Sequence, residues 1–158
     1  MNALSFYVIA GAIIAADQVT KLAVQQMLLL GHIIPVIPSV FNLTYVLNPG
    51  AAFGLLSDAP AAIRNPLFTA ISLCAVLFIV YYRARHGGMG LLHSSGLACI
   101  LGGAVGNFID RLRLGMVVDF LDFYYGTYHW PAFNVADSAI TVGVALMLID
   151  MVFDGERR

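Results

Sequence analysis

The chain has 158 residues, of which 60% are apolar and 11% charged, with a formal net charge of −1, whereas an ordinary soluble domain carries roughly 25% charged residues. Eight Lys and Arg with nine Asp and Glu cannot coat a water-soluble globule of this size, and a mean hydropathy of +0.86 excludes a disordered chain. The same sparse, unclustered basic residues exclude nucleic acid as a partner.

The length suits one integral membrane domain, an all-α protein of four transmembrane helices at about 20 residues per span. The first apolar run, 4–22, has small residues before Asp17 but no Lys or Arg ahead of it, and three more apolar runs follow, so it reads as a retained helix rather than a cleaved signal. A connection over 23–65 follows. Within it, the alternation of Phe41, Leu43, Tyr45 and Leu47 has the period of a strand and predicts a small β-sheet at the membrane surface. The second span covers 66–82 and stops at Arg83, Arg85 and a Gly-rich turn. The third covers 91–109. Its Ala98, Gly102 and Gly106, at spacing four, form a small-residue face that lets another helix approach closely; a second copy in a homodimer could use it equally, but contact within the same bundle, and so a monomer, is expected. The connection 110–132 runs into an aromatic segment, 120–133, half of it Phe, Tyr or Trp, as expected of a loop at headgroup level. The last span, 133–153, carries Asp137 near its start and Asp150 near its end.

Orientation follows from the density of basic residues in the flanks. Arg83 and Arg85 crowd a short turn and Arg157 and Arg158 a short tail, while Arg64, Arg111 and Arg113 are spread over two long connections, which places both termini in the cytoplasm. Cys74 and Cys99 sit in apolar runs as free thiols. His32, His86, His93 and His129 are scattered without ligand spacing, so no metal or other cofactor is expected.

A carboxylate at the centre of a spanning helix costs about 2.5–3.5 kcal/mol, so each needs a reason. With alternating helix direction, Asp17, Asp110 and Asp137 fall at one membrane face, and Asp119 and Asp122 lie in the connection on that face. Asp17 and Asp110 suit structural pairing, the first with Lys21 at i,i+4, the second with Arg111 or Arg113. Asp137 has no basic neighbour in sequence, and Asp119 is flanked by apolar residues. Two carboxylates held close share a proton; the ionised one can activate water against a carbonyl while the protonated one polarises it. No Gly-x-Ser-x-Gly, Ser-x-x-Lys or Cys with a nearby His offers another nucleophile. Chemistry alone leaves Asp119 and Asp122 both open as Asp137's partner. A proton or ion carrier would want acidic residues through the membrane depth, which the sequence lacks, and an assembly factor using the small-residue face would tolerate loss of the aspartates.

Five blocks in order resemble the bacterial lipoprotein signal peptidases, signal peptidase II. They are Asp17-Gln-Val-Thr-Lys21, Asn48-Pro-Gly-Ala-Ala-Phe-Gly54, Gly102-Gly-Ala-Val-Gly-Asn107-Phe-Ile-Asp110-Arg111, Val117-Val-Asp119-Phe120 and Phe133-Asn134-Val-Ala-Asp137-Ser138. The resemblance implies an inner-membrane aspartic endopeptidase that removes the signal peptide from diacylglyceryl-prolipoprotein before its lipidated cysteine, in contact with membrane lipid, with its site near the periplasmic face and the sheet as a substrate cradle. It implies Asp119, rather than Asp122, as the catalytic partner of Asp137. It further implies that Asn48 and Gly50 lie beside the substrate and that Asn107 and Arg111 contact its backbone. Asp17, Asp110 and Asn134 would support the site.

Overall fold

The computed structural model describes residues 1–50 and 59–155. Its elements, in order, are α1 (Ala3–Met27), β1 (Ile33–Ile37), β2 (Phe41–Asn48), α2 (Ala61–Arg85), α3 (Leu91–Leu114), β3 (Val117–Tyr125), β4 (Tyr128–His129) and α4 (Val135–Gly155). All four helices are long and apolar enough to cross a membrane. Apolar side chains face outward along α2 and α4, among them Leu77, Phe78, Leu148 and Val152, as a lipid solvent allows. Helix α3 is the central one, buried on several sides by α1, α2 and α4.

The helices outrun their expected bounds. Asn2 caps α1 by accepting from the Ser5 N–H at 2.8 Å. Pro66, expected to open the second span, instead lies inside α2, which starts at Ala61. Helix α3 continues through Leu114 and is closed by Gly115 in the left-handed region, φ +69°, where the Asn65 side chain leaves no room for a Cβ. Asp110 and Arg111 are therefore helical, on the last turns of α3, and not in the connection.

Close helix approach depends on glycine, as the third span predicted, but on both sides of α3. Gly102 meets the Ala10 carbonyl and Ile13 of α1, and Gly106 sits against the Asp17 carboxylate. Facing the other way, Gly96 lies against Gly143, and Gly103 against the Ala136 carbonyl of α4, contacts that the period-four face does not reveal. Phe6 and Ala10 of α1, Ile79 of α2 and Leu97, Ala98 and Leu101 of α3 form the core of the bundle.

A four-stranded antiparallel sheet, in the order β1-β2-β3-β4, covers one end of the bundle. Strand β2 is the expected one, yet its buried side chains are Asn42 and Thr44, while Phe41, Leu43 and Tyr45 are half-buried. Strand β1 shows its apolar residues outward throughout. The aromatic segment is not a loop. Most of it is β3 and β4, paired at Tyr124↔His129 and Tyr125↔Tyr128, because alternating Phe and Tyr satisfy a two-sided strand as readily as a headgroup layer. The chain then doubles back, and Phe133 pairs with Leu121. That pairing delivers the start of α4 to the side of β3. A second small core, Val24 and Leu28 of α1 with Phe120 of β3, ties the sheet to the bundle.

Adding one methyl at Gly103 drives it into the Ala136 carbonyl, and overpacking of this kind costs about 1–3 kcal/mol. Gly103→Ala is therefore expected to lower the Tm of the detergent-solubilised protein by several degrees. Gly11→Ala, with open space around its Cβ, leaves it unchanged, as read by thermal melting of both variants beside the parent.

Candidate active site

Asp119 stands on β3 and Asp137 on the first turn of α4, and both line one cleft of about 1070 Å³ between the sheet and the helix ends. Asn48, Gly50, Asn107 and Arg111 share its wall. Asp122 does not. Three residues along a strand reverse the face, so Asp122 turns away to accept from Asn42 Nδ2 at 2.8 Å and to contact His129 Nδ1 at 2.8 Å. Strand parity thus brings Asp119, and not Asp122, into the cleft that Asp137 lines.

Three carboxamides frame the two aspartates. Asn134 precedes α4 and caps it, its Oδ1 accepting the Asp137 N–H at 2.9 Å. Its Nδ2 donates to Asp119 Oδ1 at 2.7 Å and to the Val118 carbonyl at 3.1 Å. Asn48 donates from Nδ2 to Asp119 Oδ2 at 3.0 Å while its Oδ1 accepts the Gly50 N–H at 3.0 Å, so the turn at Gly50 sets the direction of the Asn48 amide. Asn107 donates from Nδ2 to Asp137 Oδ1 at 2.7 Å.

Beneath them lies a buried ionic cluster. Lys21 of α1, 1% exposed, pairs with Asp17 at 2.9 Å and with Asp110 at 2.8 Å, and donates to Asn107 Oδ1 at 2.9 Å. The i,i+4 pair of Asp17 and Lys21 is as expected. Asp110 pairs across helices with Lys21 rather than with Arg111 or Arg113, because its side chain faces inward between α1 and β3. Each carboxylate also holds a backbone amide beside one aspartate of the cleft. Asp110 Oδ2 accepts the Val118 N–H at 3.1 Å, and Asp17 Oδ1 accepts the Ala136 N–H at 2.9 Å. Gln18 bridges the two, donating to Asp17 Oδ2 at 3.1 Å and Asp110 Oδ1 at 3.2 Å. Gln18 carries no charge, and its lipid-exposed neighbours Val19 and Leu22 hide its part in the site; only its place one residue after Asp17 hints at it.

Arg111 lies over the Phe68 ring and donates to Ser72 Oγ at 3.3 Å, so α2 holds the guanidinium at the edge of the cleft. The second sequence block continues over 51–54, outside the described residues. Asp150 lies at the opposite end of the bundle, with His93 at 3.3 Å.

Burial pushes the Asp119 carboxyl from 3.8 up to about 7, and the Asp137 charge across the cleft adds to the rise. The amides of Asn48 and Asn134 and the charge of Lys21 oppose it. A carboxyl held up in this way keeps its proton to higher pH than an ordinary aspartate.

Four spanning helices with a carboxylate-lined cleft at one end define a multi-pass membrane protein carrying an acid–base site. The sequence model of "Signal peptidase (SPase) II" matches residues 9–153. A lipoprotein signal peptidase of Syntrophus aciditrophicus is 46% identical over 93% of this chain and 91% of its own length. Another, of Desulforapulum autotrophicum, is 51% identical over 90% and 88%. A bacterial membrane enzyme solved by the in meso method at 2.3 Å superposes with a TM-score of 0.87 at 33% identity, over 99% of this chain and 92% of the other. The chain belongs to the signal peptidase II family and is accordingly a peptide hydrolase.

A carboxyl raised from 3.8 to about 7 on folding binds its proton more tightly folded than unfolded. The stability it contributes is complete below the unfolded value and is lost as pH rises through the folded one. The Tm in detergent is thus expected to fall between about pH 4 and pH 7, with a shallower fall in Asp119→Asn, as melting curves across that range will show.

Proposed function

We propose that the protein cleaves the signal peptide from diacylglyceryl-modified prolipoproteins, just before the lipidated cysteine, by activation of water between Asp119 and Asp137. The observation that carries this reading is the convergence of these two aspartates, from different elements, on one cleft under a frame of carboxamides. The ionised carboxylate takes a proton from water as its oxygen attacks the scissile carbonyl, and the protonated partner donates to the carbonyl oxygen. The tetrahedral adduct then collapses. A dyad proton passes to the leaving nitrogen and the C–N bond breaks as one hydroxyl of the adduct gives its proton back to the dyad and re-forms a carbonyl, so the signal peptide leaves as a carboxylic acid, the cysteine leaves with a free amine and the dyad again holds one proton.

The cleft suits an extended peptide with a lipid attached. Arg111, Asn48 and the backbone at Gly50 border the space that a peptide backbone would fill, where water is scarce and carbonyls need donors. The wall continues along α4 through Ile140 and Val142 toward the lipid-facing flank of the bundle, and Val142 is itself exposed. Acyl chains left in the bilayer would hold the cleavage site at the depth of the dyad, each buried CH₂ contributing about 0.8 kcal/mol. In this reading the enzyme is a monomer of the inner membrane, with both termini cytoplasmic and the sheet on the periplasmic side. A reporter fused after Arg158 is expected to be active in the cytoplasm and silent outside.

Asp119→Asn and Asp137→Asn, made separately and purified at normal yield, are each expected to lower kcat on a lipidated precursor by roughly 10²–10⁴-fold. Turnover at the parent rate in either variant overturns the dyad. A non-lipidated precursor is expected to be cleaved far more slowly than the lipidated one, and equal rates contradict the lipid's part in binding.

A further inference from the structure

Lys21 lies in the layer beneath the cleft. Its ammonium has three protons and no acceptor, and three oxygens receive them: Asp17 Oδ2, Asp110 Oδ2 and Asn107 Oδ1, at 2.9, 2.8 and 2.9 Å. Because Lys21 only donates, the Asn107 carbonyl must face it. The Asn107 amide must then face Asp137, where Nδ2 donates to Oδ1 at 2.7 Å. Asn134 Nδ2 adds a contact to the same Asn107 oxygen at 3.3 Å, so two donors hold that orientation. Without the cation only the longer contact from Asn134 opposes a turn of the carboxamide that offers its carbonyl to Asp137, an arrangement that favours the protonated acid.

Resting on the assignment of Asp119 and Asp137 as the catalytic pair, we propose that Lys21 is a positioning residue of the reaction: through Asn107 it keeps Asp137 an acceptor and so settles where the dyad's single proton resides. Its counter-charges serve the same end. Asp17 and Asp110 fix the N–H groups of Ala136 and Val118, each one residue before a catalytic aspartate. Among the described residues, the charged groups around this relay are Asp17 on α1, Asp110 and Arg111 on α3, Asp119 on β3 and Asp137 on α4. The cluster of Lys21, Asp17 and Asp110 sums to one negative charge.

That sum permits a charge-matched test. Lys21→Met combined with Asp17→Asn keeps the cluster at one negative charge, and the carboxamide oxygen introduced at position 17 remains able to accept the Ala136 N–H. In this double variant, folded by its melting curve, kcat on a lipidated precursor is expected to fall about 10-fold or more, with KM within about threefold, a loss on the scale of acid–base catalysis. The alkaline limb of its kcat/KM profile is expected to move to higher pH. Adding Asn107→Ala is expected to make the triple variant no slower than Asn107→Ala alone, because Lys21 acts through that amide. Merely structural roles would give multiplied losses. Parent kcat with an unmoved alkaline limb, or losses that multiply with Asn107→Ala, overturns the proposal. If the double variant does not fold, Asn107→Ser carries the test, since it keeps the ion pairs of Lys21 with Asp17 and Asp110 and removes the amide that donates to Asp137; parent kcat and pH profile there overturn it equally. Parent activity in Asp119→Asn or Asp137→Asn would instead refute the dyad itself, so the two failures are distinguishable.

Discussion

A lysine ammonium at 1% exposure, shared between two carboxylates that are equally buried, is the constraint on which the active end of the molecule depends. Charges are costly to bury and worth keeping only when geometry and hydrogen bonding are complete. Here completion requires α1, α3, β3 and the start of α4 to meet at one point. Asp17 and Lys21 come from α1, Asp110 and Asn107 from α3, Val118 from β3 and Ala136 from α4. Gly106, with the Asp17 carboxylate where its Cβ would be, lets α3 come close enough. Removing one partner of such a set leaves an uncompensated charge at a cost of about 3–5 kcal/mol, so the arrangement is self-enforcing.

From this layer the site is built outward. Backbone grips at Val118 and Ala136 position the strand and helix that carry Asp119 and Asp137, and the three carboxamides orient the carboxyl groups. Asp119 is then held where burial opposes its ionisation, with its value at about 7, while the peptide-sized cleft above remains open along α4. A membrane protein can maintain such a site with few charges because its remaining surface is matched to lipid and needs none.

Much of this is legible in the sequence, and the gaps have physical causes. The spans follow from composition, yet their ends do not: Pro66 is tolerated inside α2, and α3 runs on to Gly115, so Asp110 and Arg111 belong to a helix. The clustering of five aspartates at one end is visible from helix alternation alone. Which of them meet is not, because Asp110 finds Lys21 across two helices and Asp119 and Asp122 are separated only by strand parity. Residues 120–133 are misleading in composition, since aromatic side chains serve a membrane interface and a β-strand equally well. Asn48, Asn107 and Asn134 can be singled out by resemblance, but their role as a frame around the carboxylates depends on amide direction, which only the folded partners determine.

The central claim is that Asp119 and Asp137 hold one proton between them. Infrared difference spectroscopy of detergent-solubilised protein with ¹³C-labelled aspartate, titrated through neutral pH, reads this directly. A protonated-carboxyl band that persists to about pH 7 and is lost from that range in both Asp119→Asn and Asp137→Asn is the predicted result. A parent protein with no protonated carboxyl above the ordinary aspartate range, or a neutral-range band indifferent to Asp137→Asn, would contradict it.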